Sequence, residues 1–591
     1  MSVNKKIGLF DGKEDKNLIK AIEKVNLDKI KDILEKGIKN NKIININIKN
    51  TEGKNPLLLA IKYVDKELIK ILLEYSNKNN LNLGFNETDN KGVFPFLLAV
   101  DKNNNDVVNL LVNYAKENNI IIGINEKDND GNYPLLKATK NNNIELIQLI
   151  INYSKDNHII LNINDTDNSQ WYPILWSFFI SNIAISKLLI NYANQNNIVL
   201  DLNKICNHGF CPLTTGINNN NSEMIKLILD YANKNNISLN INAKSPNTNN
   251  YAILWCCNEN NLEIMNLLIE HADHHHIILE INEKCKNGKF PFLSSIRVNN
   301  DEMATILINY ANKNNIVLNL NDEDQHGNYP LLWACTNNNT DLFNIIIDYS
   351  RKHNIILNLN EKNDNGNYPL LQACIKNNVD MTKLLIDYAN NNHIVLEVNN
   401  CSSKGNYPFL GAVINNNFEI INTLMEYADT NKIILEINKH DGKGNTPLLW
   451  ACNNNNLKIF KLIMDYANKH SIKLSINEKD TDFGNYPILW ACYNNNTEIV
   501  KMIFEYANNN SIILELNEKN NEECYPLLFS SNNKNLEIVK LFIDYANKNN
   551  IILTINEKNK YDNYPLLIAK NQENTEMIET LTDYANKNNI L

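Results

Sequence analysis

Glycine and proline are scarce, 18 and 14 in a chain of 591 residues, and no stretch rich in glycine, serine or proline links unlike domains. Runs of lysine and arginine are missing as well. The net charge of -10 is spread along the whole length, with nothing to neutralise consecutive phosphates or to dock on an anionic surface, so neither nucleic acid nor membrane is expected as a partner. No segment approaches the ~20 apolar residues of a membrane helix. The start, Met1-Ser2-Val3-Asn4-Lys5-Lys6, is followed by charge where a secretory signal needs an apolar stretch. A soluble intracellular monomer is expected, cytoplasmic or nuclear. The 11 cysteines are too dispersed for a disulfide framework, no Cys-x-x-Cys occurs, and Cys206 with Cys211 has no second pair or histidine at zinc spacing.

What the chain does have is a period. Prolines stand at 56, 95, 134, 173 and 212, at 291, 330, 369, 408 and 447, and at 487, 526 and 565, a step of 39 residues. Ala252 fills the empty slot, and the two steps of 40 lead into Ala252 and Pro487. Only Pro246 lies outside. At this length such self-similarity means a stack of equal units and not one core.

In the unit around Pro487, Gly484-Asn485 supplies a turn and Pro487 suits the first position of a short inner helix. Four residues after the slot the residue is always small, from Ala60 and Ala99 through Ser177, Gly216 and Cys256 to Ala569, as close helix approach requires. Cys257, Cys335, Cys374, Cys452 and Cys492 follow one residue later and read as reduced packing residues. Asn494-Asn495-Asn496 ends the inner helix and caps an outer one, and Glu498 suits its first turn. Ile499, Val500, Ile503 and Phe504 give the outer helix an apolar stripe. Nineteen residues after the slot comes Tyr in thirteen of fourteen units, from Tyr75 to Tyr584, with His271 the exception, and we read a structural ladder. Ile512 to Leu516 alternates as a short extended segment does. An Asn recurs nine or ten residues before each slot (Asn86, Asn125, Asn164, through to Asn556) and is expected to staple the loop through its side chain.

These residues resemble the ankyrin repeat, D-x-x-G-x-T-P-L-H-x-A-A-x-x-G-H-x-E-I-V. Matching runs include Asp441-Gly442-Lys443-Gly444-Asn445-Thr446-Pro447-Leu448-Leu449-Trp450-Ala451-Cys452 and Asn496-Thr497-Glu498-Ile499-Val500. The resemblance implies an all-α helix-turn-helix repeat solenoid with short hairpin-like loops, a curved superhelix of roughly 120–150 Å if neighbours sit ~8–10 Å apart. It has three departures. The family His after Pro-Leu is replaced, by Leu449 or Leu489, so its hydrogen bonds between repeats need a substitute. The glycine that ends the outer helix gives way to Ala467, Ala507 or Ser350, and six residues are added per unit, typified by Asn508 to Ile513, which together predict a longer outer helix. Residues 1–16 are expected to be a tail. Residues 17–591 then hold about fifteen units, the first degenerate, with Asn17 in the proline slot, Ala21 in the small position and Asn47 as the loop Asn.

No set of residues points to catalysis. Gly442-Lys443-Gly444 lacks the Lys-Ser/Thr ending of a phosphate loop, and no Ser, His and Asp set stands outside the repeat. Neither enzyme activity nor a cofactor nor a metal is expected. The run His271, His274, His275, His276 reads as solvent-facing imidazoles at a helix end, where their charge suits the dipole. Five of six tryptophans, Trp176, Trp255, Trp333, Trp450 and Trp490, stand three residues after the slot, where other units carry Lys137, Thr215, Ser294, Gln372 or Gly411. They are either anchors for a bound protein on the concave face or lateral packing between inner helices. Trp171, Phe179 and Ile180 make 171–180 apolar where sister units are polar, which marks a contact site, and Tyr493 beside Trp490 joins the candidates.

The resemblance therefore implies a scaffold or adaptor for other proteins. The alternatives are a passive spacer, or a substrate of asparaginyl hydroxylation at loop residues such as Asn517. The richness in Asn, Ile and Lys matches an AT-rich coding sequence and is given no functional weight. With Ile590-Leu591 directly after the last outer helix, an effector is expected on another chain.

Overall fold

The computed structural model describes residues 12–39 and 42–590. Among them are thirty helices, paired inner with outer, and no strand. The fold is an all-α ankyrin-type helical repeat. The chain divides into two units, Met1–Lys286 and Asn287–Leu591, built from the same repeat. Within each unit an inner helix packs on its own outer helix and on neighbouring inner helices. The first helix starts at Gly12, five residues ahead of the slot residue Asn17 and inside the span expected to be tail. Residues 1–11 and Leu591 lie outside the described residues.

Local sequence explains each boundary. Pro487 opens the inner helix Pro487–Tyr493, whose C-cap is Asn494. Asn495 takes the left-handed turn at φ 55°. Asn496 then caps the outer helix Thr497–Asn509, its side-chain oxygen accepting from the Ile499 N–H at 3.0 Å. The outer helix runs on past Ala507, as the missing glycine predicts. Ile499, Val500, Ile503 and Phe504 are all buried. At the small position, a Cβ added to Gly216 would meet Ile225 Cγ1 at 3.0 Å, so the outer helix packs closely there and leaves space only for a small residue.

The segments between repeats alternate without forming a sheet. Leu514 and Leu516 point inward and Ile513 outward, so the alternation holds, but no strand pairs with its neighbour. The Leu516 N–H bonds instead to the Leu514 carbonyl at 3.1 Å, a tight turn within the segment.

Side chains do the joining. The loop Asn of one repeat donates to a carbonyl in the next and accepts from an N–H there: Asn125 reaches the Ile160 carbonyl at 2.7 Å and takes the Asn162 N–H at 3.0 Å. Asn517 does the same with Ile552 and Thr554. Asn494 and Asn533 donate to the Cys452 and Cys492 carbonyls at 2.9 Å, satisfying the open end of the preceding inner helix. The asparagine richness is therefore structural and not only a matter of coding bias.

Two tyrosine ladders run beside the amides. The Tyr nineteen residues after the slot accepts a main-chain N–H from the preceding repeat: Tyr153 from Ile122 at 2.9 Å, Tyr427 from Leu396 at 2.8 Å. Tyr114 departs, donating to Ser76 Oγ at 2.9 Å and stacking on Phe85. A second Tyr, just before the proline, is fully buried and donates forward: Tyr172 to the Lys204 carbonyl at 2.8 Å, Tyr407 to those of Glu436 and Lys439 at 3.0 and 2.8 Å. It supplies the bonds between repeats left open by the absent family His.

All cysteines are free. Burial pushes the Cys374 and Cys492 thiols up to about 12, leaving almost no nucleophilic thiolate. Under native alkylation at neutral pH, Cys285 and Cys401, the two that are not buried, are expected to label first, with Cys374 and Cys492 unmodified until denaturant is added. Peptide mass spectrometry of a time course checks this, and early labelling of Cys374 contradicts the packing.

Candidate protein-binding surface

The inner-helix position three residues after the slot is decided by its neighbours. Thr215, Ser294 and Gln372 are buried there, whereas Trp176, Trp333, Trp450 and Trp490 stay partly exposed. Trp255 is only 4% exposed, and its indole N–H donates to Asn220 Oδ1 at 2.9 Å. This is packing, and Trp255 is withdrawn from the surface. The matching oxygens of Asn416 and Asn455 accept from the next N-cap Asn instead, and the indole N–H groups of Trp450 and Trp490 have no protein acceptor.

Two aromatic clusters form, one in each unit. In the first, Trp171 meets Trp176 and Phe179 edge-on, ring centroids 4.7 and 5.0 Å apart, with Trp176 and Phe179 at 5.3 Å. Trp171 is itself buried, so it supports the cluster and is no anchor, another correction to the sequence expectation. Phe179 is 45% exposed and Ile180 half-buried. Lys140 sits 5.3 Å from the Trp176 ring and is tied to Asp167 at 2.7 Å, so this cation is already paired.

In the second unit Trp490 and Tyr493 meet at 5.4 Å and 90°, and Tyr493 meets Phe529 at 5.2 Å and 89°. Phe483 and Tyr561 join them around a cavity of about 310 Å³. The sequence reading missed Phe529, Phe483 and Tyr561. Phe529 occupies the tryptophan position after Pro526, and Phe483 and Tyr561 occupy loop tips where sister units place His326, Asn365, Lys404 or Lys443. Apolar rings at a polar tip were the available signal.

In the histidine run His274 and His276 are exposed as expected, and His271 is the correction. His271 is fully buried in the tyrosine ladder: its Nε2 accepts from the Leu239 N–H at 3.1 Å, which leaves the proton on Nδ1 to bond Asn233 Oδ1. Burial, with His275 and His274 beside it, lowers its pKa to about 4, so the ring is neutral and not a surface imidazolium. Among the described residues no group of three or more His, Cys, Asp or Glu is arranged to hold a metal, and no helix is long and apolar enough to cross a membrane.

The family model of ankyrin repeats in three copies matches residues 18–122, 253–356, 331–434 and 431–513, more than half of the chain. The chain belongs to the ankyrin-repeat family. No curated protein matches it. Ankyrin repeats are generally protein-interaction modules and typically not enzymes. In this ankyrin chain the exposed aromatic groups, unlike the buried Trp255, remain open to such a role.

Proposed function

We propose that the chain is a scaffold or adaptor that holds partner proteins on its inner-helix and loop-tip face. The supporting observation is the pair of aromatic clusters, Trp176 with Phe179 and Trp490 with Tyr493, in which Phe179 and Tyr493 are exposed at a position where most sister repeats carry a polar residue such as Lys140, Asn218 or Asn453. Aromatic side chains bring large contact area at low entropic loss and dominate interface energies. No residue set in either cluster suggests catalysis. Trp333 and Trp450, half-buried and outside the clusters, occupy the same inner-helix position as Trp176 and Trp490.

A triple substitution, Trp176→Ala, Phe179→Ala and Tyr493→Ala, tests this in affinity capture from native extract, with helicity checked by circular dichroism. A protein partner held by the wild type is expected to be lost by the folded variant, at about 2 kcal/mol per anchor. Retention of that partner removes these clusters as the site. Absence of any partner for the wild type favours the spacer. The hydroxylation reading has less support, because both polar atoms of the Asn517 amide are committed to the next repeat.

A further inference from the structure

We propose, building on the binding-surface reading above, that the cavity framed by Phe483, Tyr493, Phe529 and Tyr561 is a subsite for an arginine side chain of a partner protein. Its walls are aromatic, and three of the rings are more than half exposed: Phe483 at 61%, Tyr493 at 54% and Tyr561 at 66%. The Trp490–Tyr493 and Tyr493–Phe529 pairs each meet at right angles, so the ring faces turn in different directions around the space. Such faces carry negative quadrupole charge and attract a cation or a flat delocalised group.

The lining holds one charged group, Glu522, and it is acidic. The Tyr561 hydroxyl donates to Glu522 Oε2 at 3.1 Å, which fixes the carboxylate at the rim. No lysine or arginine among the described residues pairs with Glu522. Three acids in the neighbouring loops are paired: Asp482 with Lys443 at 2.7 Å, Glu518 with Lys479 at 2.7 Å, Glu557 with Lys519 at 2.8 Å. Of the amides in the lining, both polar atoms of Asn520 and the Asn485 oxygen are already used. Asn520 donates to Asn485 at 2.9 Å and accepts from the Glu522 and Cys524 N–H groups. What remains is aromatic area, the Asn485 amide nitrogen and one unneutralised carboxylate.

Charge complementarity selects the occupant. An aliphatic side chain would fill the walls but strip water from Glu522 without replacing it. A guanidinium stacks on rings and bonds a carboxylate with its planar fork, whereas an ammonium is a compact ion that keeps its water. A cavity of about 310 Å³ has room for one such side chain.

The probe is N-acetyl-arginine N-methylamide, titrated against the full chain by ligand-observed NMR beside its citrulline, lysine and norleucine counterparts. Saturable binding of the arginine probe is expected, about tenfold tighter than citrulline, its neutral isostere, and about tenfold weaker in Glu522→Gln. Phe483→Ala, at an exposed loop tip, is expected to weaken it as well without unfolding the chain. Norleucine or citrulline binding as well as arginine overturns the proposal, as does a tighter lysine probe, an unchanged Glu522→Gln variant, or no saturable binding. The titration needs no partner protein. Its failure therefore leaves the affinity-capture result standing, and a failed capture leaves the titration standing.

Discussion

Tyr407→Ala is expected to destabilise the second unit by about 3–5 kcal/mol and to act locally. The ring is fully buried, and its one hydroxyl proton is shared between two carbonyls of the next repeat, so the change leaves a cavity and takes the donor from the Lys439 carbonyl, while that of Glu436 keeps the Lys439 N–H at 3.1 Å. Tyr407→Phe keeps the ring and loses only the donor, and about 1–3 kcal/mol is expected. In a stack where each repeat leans on its neighbours, a weakened joint lets the repeats on either side open separately. Hydrogen exchange by mass spectrometry should quicken around residues 396–440 and remain slow in the first unit. A uniform rise along the whole chain would mean that the tyrosine joint is not what couples adjacent repeats.

Acid is expected to weaken the first unit through one side chain. In the unfolded chain His271 takes up a proton near pH 6.5, but in the fold it does so only at about pH 4, because burial penalises the charged ring and His275 and His274 lie beside it. Between those values the unfolded state binds more protons. The contribution is complete above pH 6.5 and lost as pH falls toward 4, by about 2–3 kcal/mol. Denaturant titrations at pH 7.5 and 4.5 should show this loss in the wild type. His271→Tyr, which restores the residue used elsewhere in the ladder, should reduce it. Equal acid sensitivity in the two proteins would place the titrating group elsewhere.

The helices were legible because their signals are local. Pro487 at the first position, Asn495 in the left-handed turn and Asn496 as cap each act within one turn of chain, and the 39-residue step repeats them in register. Exposure was less legible, since it depends on what the adjacent repeat supplies. Trp255 and Trp450 share a position and a residue type, yet only Trp255 is covered and finds an acceptor for its N–H. His271 was misread for a related reason: its partners Leu239 and Asn233 lie a full repeat away. The cavity escaped notice because Phe483, Phe529 and Tyr561 come from three successive repeats, and no single motif contains them.

The asparagine joints also bear on how such a chain can change length. Asn125 reaches forward to Ile160, and Asn164 to Val199, each with the same reach and the same two backbone partners. Within each unit, repeats such as these thus carry their own fastening to the repeat that follows. Duplicating or excising one 39-residue step in register rejoins a complete amide to a complete backbone site, with no mismatched seam. Growth by internal copying needs no compensating change elsewhere, whereas an insertion out of step loses the fastening at once.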